Sequence, residues 1–179
     1  MSKVTIIDNV LPKRVHTWLH KLLIMEPVWN LDMFSNEENH RIAGRILYCK
    51  HQNINTKTPA QALCAMTYFL LREKTKFLSN HIIRIHLGAK APLQDDEFHT
   101  DGTEDETTVL YYLNDKWNKS WGGHTIVDDV KVEYKPNRAV IYSAATSHKG
   151  LAGNVSHFRS YINYVVKGNY AKDIKKIQI

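Results

Sequence analysis

A chain of 179 residues with 43% hydrophobic and 23% charged side chains has the makeup of a soluble globular protein, long enough for one real core. No apolar run approaches the ~20 residues of a membrane-crossing helix, and Met1 to Arg14 lacks the apolar stretch of a secretory signal. Two cysteines, Cys49 and Cys64, exclude a disulfide framework and suit a reducing cytoplasm, while the formal charge of +6 permits an acidic partner without demanding one.

Residues 3–7 read as a short strand. Asp8 or Asn9 then caps a helix that begins near Leu11-Pro12, with proline suited to its first turn. Val15, Trp18, Leu19, Leu22 and Leu23 recur at helical spacing and predict a buried face. His16 and His20 stand four apart but lack a further ligand nearby, so they read as a solvated helix face. Residues 29–34 and 41–48 read as strands, with loops over 35–40 and 53–57. Thr58-Pro59 starts a second helix, running to about Leu78, with Leu63, Met66, Thr67, Leu70 and Leu71 as its stripe.

From His81 the period changes to 2. Strands are predicted over 81–87, 107–113, 123–127, 130–134, 138–143 and 158–167, separated by turn signals at Asn114-Asp115, Trp121-Gly122-Gly123, Asp128-Asp129 and Pro136-Asn137. Helices followed by many short strands predict an α+β domain with a sandwich or barrel body. The whole chain, 1–179, reads as one domain, with helical support to about residue 80 and a basic tail from 168. The C-terminal lysines (Lys167 and, in the tail, Lys172, Lys175 and Lys176) read as a solvated end in preference to a nucleic-acid contact.

Phe98-His99-Thr100-Asp101-Gly102 is the stretch that carries chemistry. In extended backbone His99 and Asp101 point to one side, so both can hold one metal ion. A distant histidine completes a 2-His-1-carboxylate triad with open positions, the mark of non-heme Fe(II) oxygenases. His148 is that histidine; His157 competes. Arg159 lies in a strand-like run, where an inward guanidinium needs an anion, and a small dicarboxylate between metal and Arg159 meets the demand.

His-x-Asp, a distal histidine and an arginine eleven positions after it make the chain resemble the 2-oxoglutarate/Fe(II)-dependent dioxygenase superfamily. Tyr111-Tyr112-Leu113-Asn114, followed by Trp117 and Trp121-Gly122-Gly123, resembles its prolyl 4-hydroxylase-like branch. The resemblance spans roughly residues 81–167. It implies a double-stranded β-helix (a jelly-roll, cupin-like barrel) braced by the N-terminal helices. It further implies Fe(II) on His99, Asp101 and His148, 2-oxoglutarate anchored on Arg159, O2 as oxidant, and ascorbate as a further cofactor. His157 stands too close to Arg159 for the spacing of the family.

The second tyrosine of the motif, Tyr112, is expected to face the co-substrate. Asn163, on the Arg159 face of its strand, either binds the co-substrate or satisfies a buried polar site. His86 stands where relatives often carry a tyrosine that contacts 2-oxoglutarate, and Gly122-Gly123-His124-Thr125 departs from the family's Gly-Gly-Glu-Thr. Residues 88–97 and 115–120 are candidate lids. Trp117 and Trp121 either line the entrance or pack under the turn. The acidic residues around the motif, Asp95 to Glu106, either give the mouth a negative field or form a plain exposed loop. The implied activity is hydroxylation of an unactivated C–H in a peptide or protein, with a small molecule or amino acid as the alternative substrate and a non-catalytic metal-binding barrel as the alternative of another class. Relatives that repair alkylated bases carry a second arginine where this chain has Val165, which argues against nucleic acid. No membrane partner is expected, and the oligomeric state stays open.

Overall fold

A computed structural model describes residues 4–25, 58–76, 78–154 and 156–169. The strands and loops predicted between 29 and 57, Cys49 and the tail lysines lie outside the described residues. The elements are β1 (Thr5–Ile7), α1 (Lys13–Met25), α2 (Pro59–Thr75), β2 (Ile82–Lys90), β3 (Glu106–Tyr112), β4 (Thr125–Val127), β5 (Val130–Val132), β6 (Ala139–Ser143), β7 (His148–Gly150) and β8 (Arg159–Lys167). They form a five-stranded sheet in the order β1-β6-β3-β8-β2 and a three-stranded sheet β5-β4-β7. Neighbouring strands in both run antiparallel.

Side-chain alternation gives the large sheet two unlike faces. One face carries Ile85, Leu87, Val109, Tyr111, Ile141, Ile162 and Tyr164, which share a buried cluster with Leu19, Leu23, Cys64, Tyr68 and Leu71 of the two helices. The opposite face sends Leu110, Tyr112, Val140, Tyr142 and Tyr161 into a second cluster with Val127, Val132 and Tyr134 from the small-sheet side. Each buried aliphatic side chain contributes roughly 1.5–3 kcal/mol, so the two clusters hold the layers together. The polar chemistry lies on this second face.

α2 starts as predicted: the Thr58 side chain accepts from Gln61 N while the Gln61 side chain accepts from Thr58 N, with Pro59 in the first turn. The buried stripes differ from the sequence reading. In α2 Ala60, Cys64, Thr67, Tyr68 and Leu71 turn inward, whereas Met66 and Leu70 are exposed. In α1 Val15 and Trp18 are exposed, and His16 takes a place on the inward face beside Leu19 and Leu23. Its ring reaches Tyr111 Oη (2.6 Å) and Asn114 O (3.0 Å). These bonds let a polar ring replace an apolar one. Asp8 is engaged by Arg138 and Lys135. Among the described residues, no helix is long and apolar enough to cross a membrane.

Candidate active site

His99 and Asp101 come from a connection that touches the sheets at single points. His99 and His148 form an isolated antiparallel bridge, each backbone N–H donating to the other's carbonyl (3.0 and 2.9 Å). That bridge sets the two rings side by side, with centroids 4.4 Å apart. Asp101 follows, its N–H and that of Gly102 both donating to Ala144 O. His148 opens β7, a strand that periodicity does not reveal because three residues give no period to read. Donor atoms of His99, Asp101 and His148 all lie within 4.8 Å of one another. The described residues yield no other such group.

The donor chemistry fits a metal ion. Nδ1 of His99 lies 2.9 Å from Glu97 O and Nδ1 of His148 lies 3.0 Å from Thr146 O. A carbonyl only accepts, so both rings carry their proton on Nδ1 and offer Nε2 as a lone pair. Three ligands on one face of an ion at ~2.1 Å sit ~3 Å apart, and His148 Nε2 is 3.4 Å from Asp101 Oδ2. Burial opposes a charged His148 ring, yet the Asp101 carboxylate outweighs it and raises its pKa. The space between those atoms therefore favours a cation. Burial would raise the Asp101 carboxyl too, but His148, Arg84 and Asn163 hold it well below the usual carboxylate range.

Asp101 is gripped on both oxygens. Thr108 Oγ1 and Asn163 Nδ2 each donate to Oδ2 at 3.0 Å, and Arg84 pairs with Oδ1. Asn163 thus touches the candidate metal ligand, while its Oδ1 is buried without a hydrogen-bond partner. His86, directly opposite Asn163 in the β2–β8 pairing, has a buried Nε2 that is likewise unpartnered. Burial, followed by the neighbouring Arg84, pushes the pKa of His86 down to about 4, so the ring is neutral. These unfilled polar atoms line the face that holds Asp101, as a polar ligand's site requires.

Arg159 is 1% exposed. Its Nε donates to Gly123 O and its Nη2 to Thr125 Oγ1, both at 2.7 Å, and both oxygens are neutral. The guanidinium packs over the rings of Tyr112, Tyr134 and Tyr161 at 5.1–5.5 Å. Tyr112 Oη donates to the same Thr125 hydroxyl at 2.8 Å. A buried cation held by neutral groups and aromatic faces fits an anionic ligand. Gly123 has φ +78°, and a Cβ there would meet the Trp117 ring at 2.9 Å. Trp117 therefore packs under the turn, its indole N–H on Gly122 O.

The remaining candidates separate cleanly. His157 is exposed and stacks on Trp121 at 4.9 Å, away from the triad. His124 belongs to no metal-ligating group. The stretch 91–97 is zipped to residues 150–153: Leu93 N to Gly153 O, Asp96 N to Gly150 O, Ala152 N to Asp95 Oδ1. It is a wall of the site, not a free lid. Of the seven acids from Asp95 to Glu106, three are paired with cations, Asp96 with Lys90, Asp101 with Arg84 and Asp105 with Lys167, so part of the negative charge around the motif is matched locally. Sequence reasoning missed Thr125, Thr108, Tyr134, Lys90 and Arg84. Thr108 and Thr125 carried a signal, since Thr108 shares a strand face with Tyr112 and Thr125 closes the Gly122-Gly123 motif; Lys90 and Arg84 read as ordinary strand cations.

Residues 80–164 match the family model described as the 2OG-Fe(II) oxygenase superfamily. No curated protein matches the sequence. Among solved structures, a Pseudomonas putida prolyl-4-hydroxylase is similar with a TM-score of 0.67 at 15% identity, over 94% of each chain. A Trichoplax adhaerens prolyl hydroxylase, in complex with a hypoxia inducible factor oxygen degradation domain peptide fragment, gives 0.63 at 14% identity, over 99% of this chain and 89% of that one. HygX from Streptomyces hygroscopicus, with nickel and 2-oxoglutarate bound, gives 0.63 at 10% identity, over 94% and 84%. At such identities the likenesses establish a shared, jelly-roll-like fold of mostly antiparallel sheets with two helices.

Proposed function

The chain belongs to the 2OG-Fe(II) oxygenase superfamily, and from that premise we propose that it is a 2-oxoglutarate- and Fe(II)-dependent dioxygenase of prolyl-hydroxylase type, acting on a peptide or protein. The reaction converts substrate C–H, O2 and 2-oxoglutarate into the alcohol, succinate and CO2. The observation that carries this reading is the convergence of three donors, from His99, Asp101 and His148, on the sheet face that also buries Arg159.

In this reading His99, Asp101 and His148 hold Fe(II), which when bound supplies the redox chemistry that activates O2. Arg159 takes the distal carboxylate of 2-oxoglutarate, with Thr125 and Tyr112 fixing the angle of its fork. His86 and Asn163 offer the two unfilled polar atoms beside Asp101 to the co-substrate. Tyr112, Tyr134 and Tyr161 exclude water from beneath the guanidinium. His99, the exposed member of the triad, marks the side from which substrate approaches. The Tyr111-Tyr112-Leu113-Asn114 motif and the prolyl hydroxylases among the neighbours support a proline-containing substrate. HygX supports the second reading, a small-molecule substrate on the same centre. Strands β2 to β8 form the double-stranded β-helix, ascorbate serves as a further cofactor, and the buried free thiol of Cys64 suits a cytoplasmic setting.

The test is succinate formation after anaerobic assembly with Fe(II) and 2-oxoglutarate and then exposure to O2, with a panel of proline-containing peptides. Wild type is expected to form succinate, with a rise on a productive peptide. His148→Ala, which removes a metal ligand, and Arg159→Ala, which removes the anchoring cation, are expected to lose at least about a hundredfold; loss of even one preorganised electrostatic donor typically costs about 10²–10³ in rate. Wild type that binds Fe(II) but neither binds nor consumes 2-oxoglutarate would leave only a metal-binding barrel.

A further inference from the structure

Arg84 lies outside the family motifs, yet its side chain contacts the candidate triad directly. Its guanidinium pairs with Asp101 Oδ1, the oxygen that neither Thr108 nor Asn163 touches. The opposite oxygen, Oδ2, is the one that faces His148 Nε2. The backbone is irregular at the residue that delivers this contact. Ile82 pairs with Val166 and Arg84 with Val165, so two steps along β2 match one step along β8. Ile82 is thereby buried in the helix-side cluster, whereas Arg84, two residues on, lies on the opposite face with Asp101. In a regular strand residues two apart share a face, so without the irregularity Ile82 would share the polar face of Arg84 and His86; Arg84 itself is in regular register with His86, opposite Val165 and Asn163 in turn. Regular alternation from Arg84 onward puts the cation on the Asp101 face, and the bulge just before it returns Ile82 to the core.

The consequence concerns how many oxygens Asp101 can give away. A triad that offers one oxygen from its carboxylate occupies three positions of a six-coordinate ion and leaves three. A carboxylate that bites with both oxygens leaves two, all of which a chelating 2-oxo acid consumes. A charged hydrogen bond is roughly twice as strong as a neutral one, so Arg84 is the group that withholds Oδ1. We propose that Arg84 is a positioning residue that keeps Asp101 a one-oxygen ligand and so reserves the third open position at the metal. This rests on the metal centre proposed above.

The experiment counts exchangeable waters on Mn(II) bound to the folded protein by water-proton relaxation, before and after 2-oxoglutarate. Wild type is expected to show about three waters falling to about one, and Arg84→Met about two falling to about none. Arg84→Lys, which keeps a charged donor, is expected to return toward the wild-type counts. Mn(II) affinity in Arg84→Met is expected to stay within about threefold of wild type or tighten, whereas general damage to the site would weaken it. Where Arg84→Met does not fold, Arg84→Gln, which has no charge, carries the same expectation. Wild type with only two waters, or an Arg84→Met protein that keeps three, would overturn the proposal. If wild type binds no Mn(II), or His148→Ala binds it equally well, the metal centre itself fails and Arg84 loses its role with it.

Discussion

At the scale of single residues, the site is a set of buried polar atoms whose protonation the fold dictates. His86 is the clearest, because burial comes first among the causes that push its pKa down to about 4 and the Arg84 cation adds to it. An unfolded chain protonates the same ring near ~6.5. The fold thus binds fewer protons than the unfolded chain between those values, and the neutral ring's contribution is complete above pH ~6.5 and lost as pH falls toward about 4. His16 is shifted the same way, again chiefly by burial. Urea unfolding of the metal-free protein is expected to lose stability across that window. His86→Gln should flatten the slope by up to about 1.4 kcal/mol per pH unit. An identical slope in the variant would mean that His86 is solvated in the native state.

At the scale of elements, each helix settles which of its apolar residues carry stability. Leu70 and Leu71 are adjacent in α2 and equally hydrophobic, but Leu71 is fully buried against the sheet and Leu70 is 47% exposed. Leu71→Ala is expected to cost about 2–5 kcal/mol, and Leu70→Ser to stay within about 0.5 kcal/mol of wild type. Chemical denaturation of the two variants distinguishes them; equal losses would place the α2 face elsewhere. Period alone allowed either stripe, since both 63/66/67/70 and 60/64/67/71 satisfy helical spacing. The same element-level logic governs the strands. β4, β5 and β7 are three residues each; β4 and β5 lie within stretches that read as strands, whereas β7, which brings His148 to the site, does not.

At the scale of the whole molecule, the triad joins the connection before β3, which carries His99 and Asp101, to β7, and β7 belongs to the smaller sheet. An ion held by all three residues cross-links parts of the chain that are far apart in sequence. A ligand that binds only the native state stabilises it by about 2.7 kcal/mol at a hundred times its dissociation constant. Saturating Mn(II) with 2-oxoglutarate is therefore expected to raise the melting temperature of wild type by several degrees. His148→Ala should lose that increment while keeping its metal-free melting temperature within a few degrees. A variant that retains the increment would remove His148 from the ligand set.

The features legible in the chain alone are those whose physics is local. The His99–Asp101 spacing, the run of strands after His81, the Thr58-Pro59 helix start and the inward Arg159 depend on backbone period and capping, which a few neighbouring residues decide. Tertiary contacts decided the rest. His16 reads as a solvated helix residue until Tyr111 and Asn114, from 95 to 98 positions away, meet its ring. The acids of 95–106 read as either a negative field or a plain exposed loop, and the pairing of Asp96, Asp101 and Asp105 with Lys90, Arg84 and Lys167 is visible only in the fold. Thr125 gains its place between Arg159 and Tyr112 only when the two sheets face each other. Ile82 and Arg84 are the extreme case: two apart in one strand, they face opposite ways because the strand pairing slips by one residue between them. Pairing register is a property of two strands together, and no periodicity within either one records it.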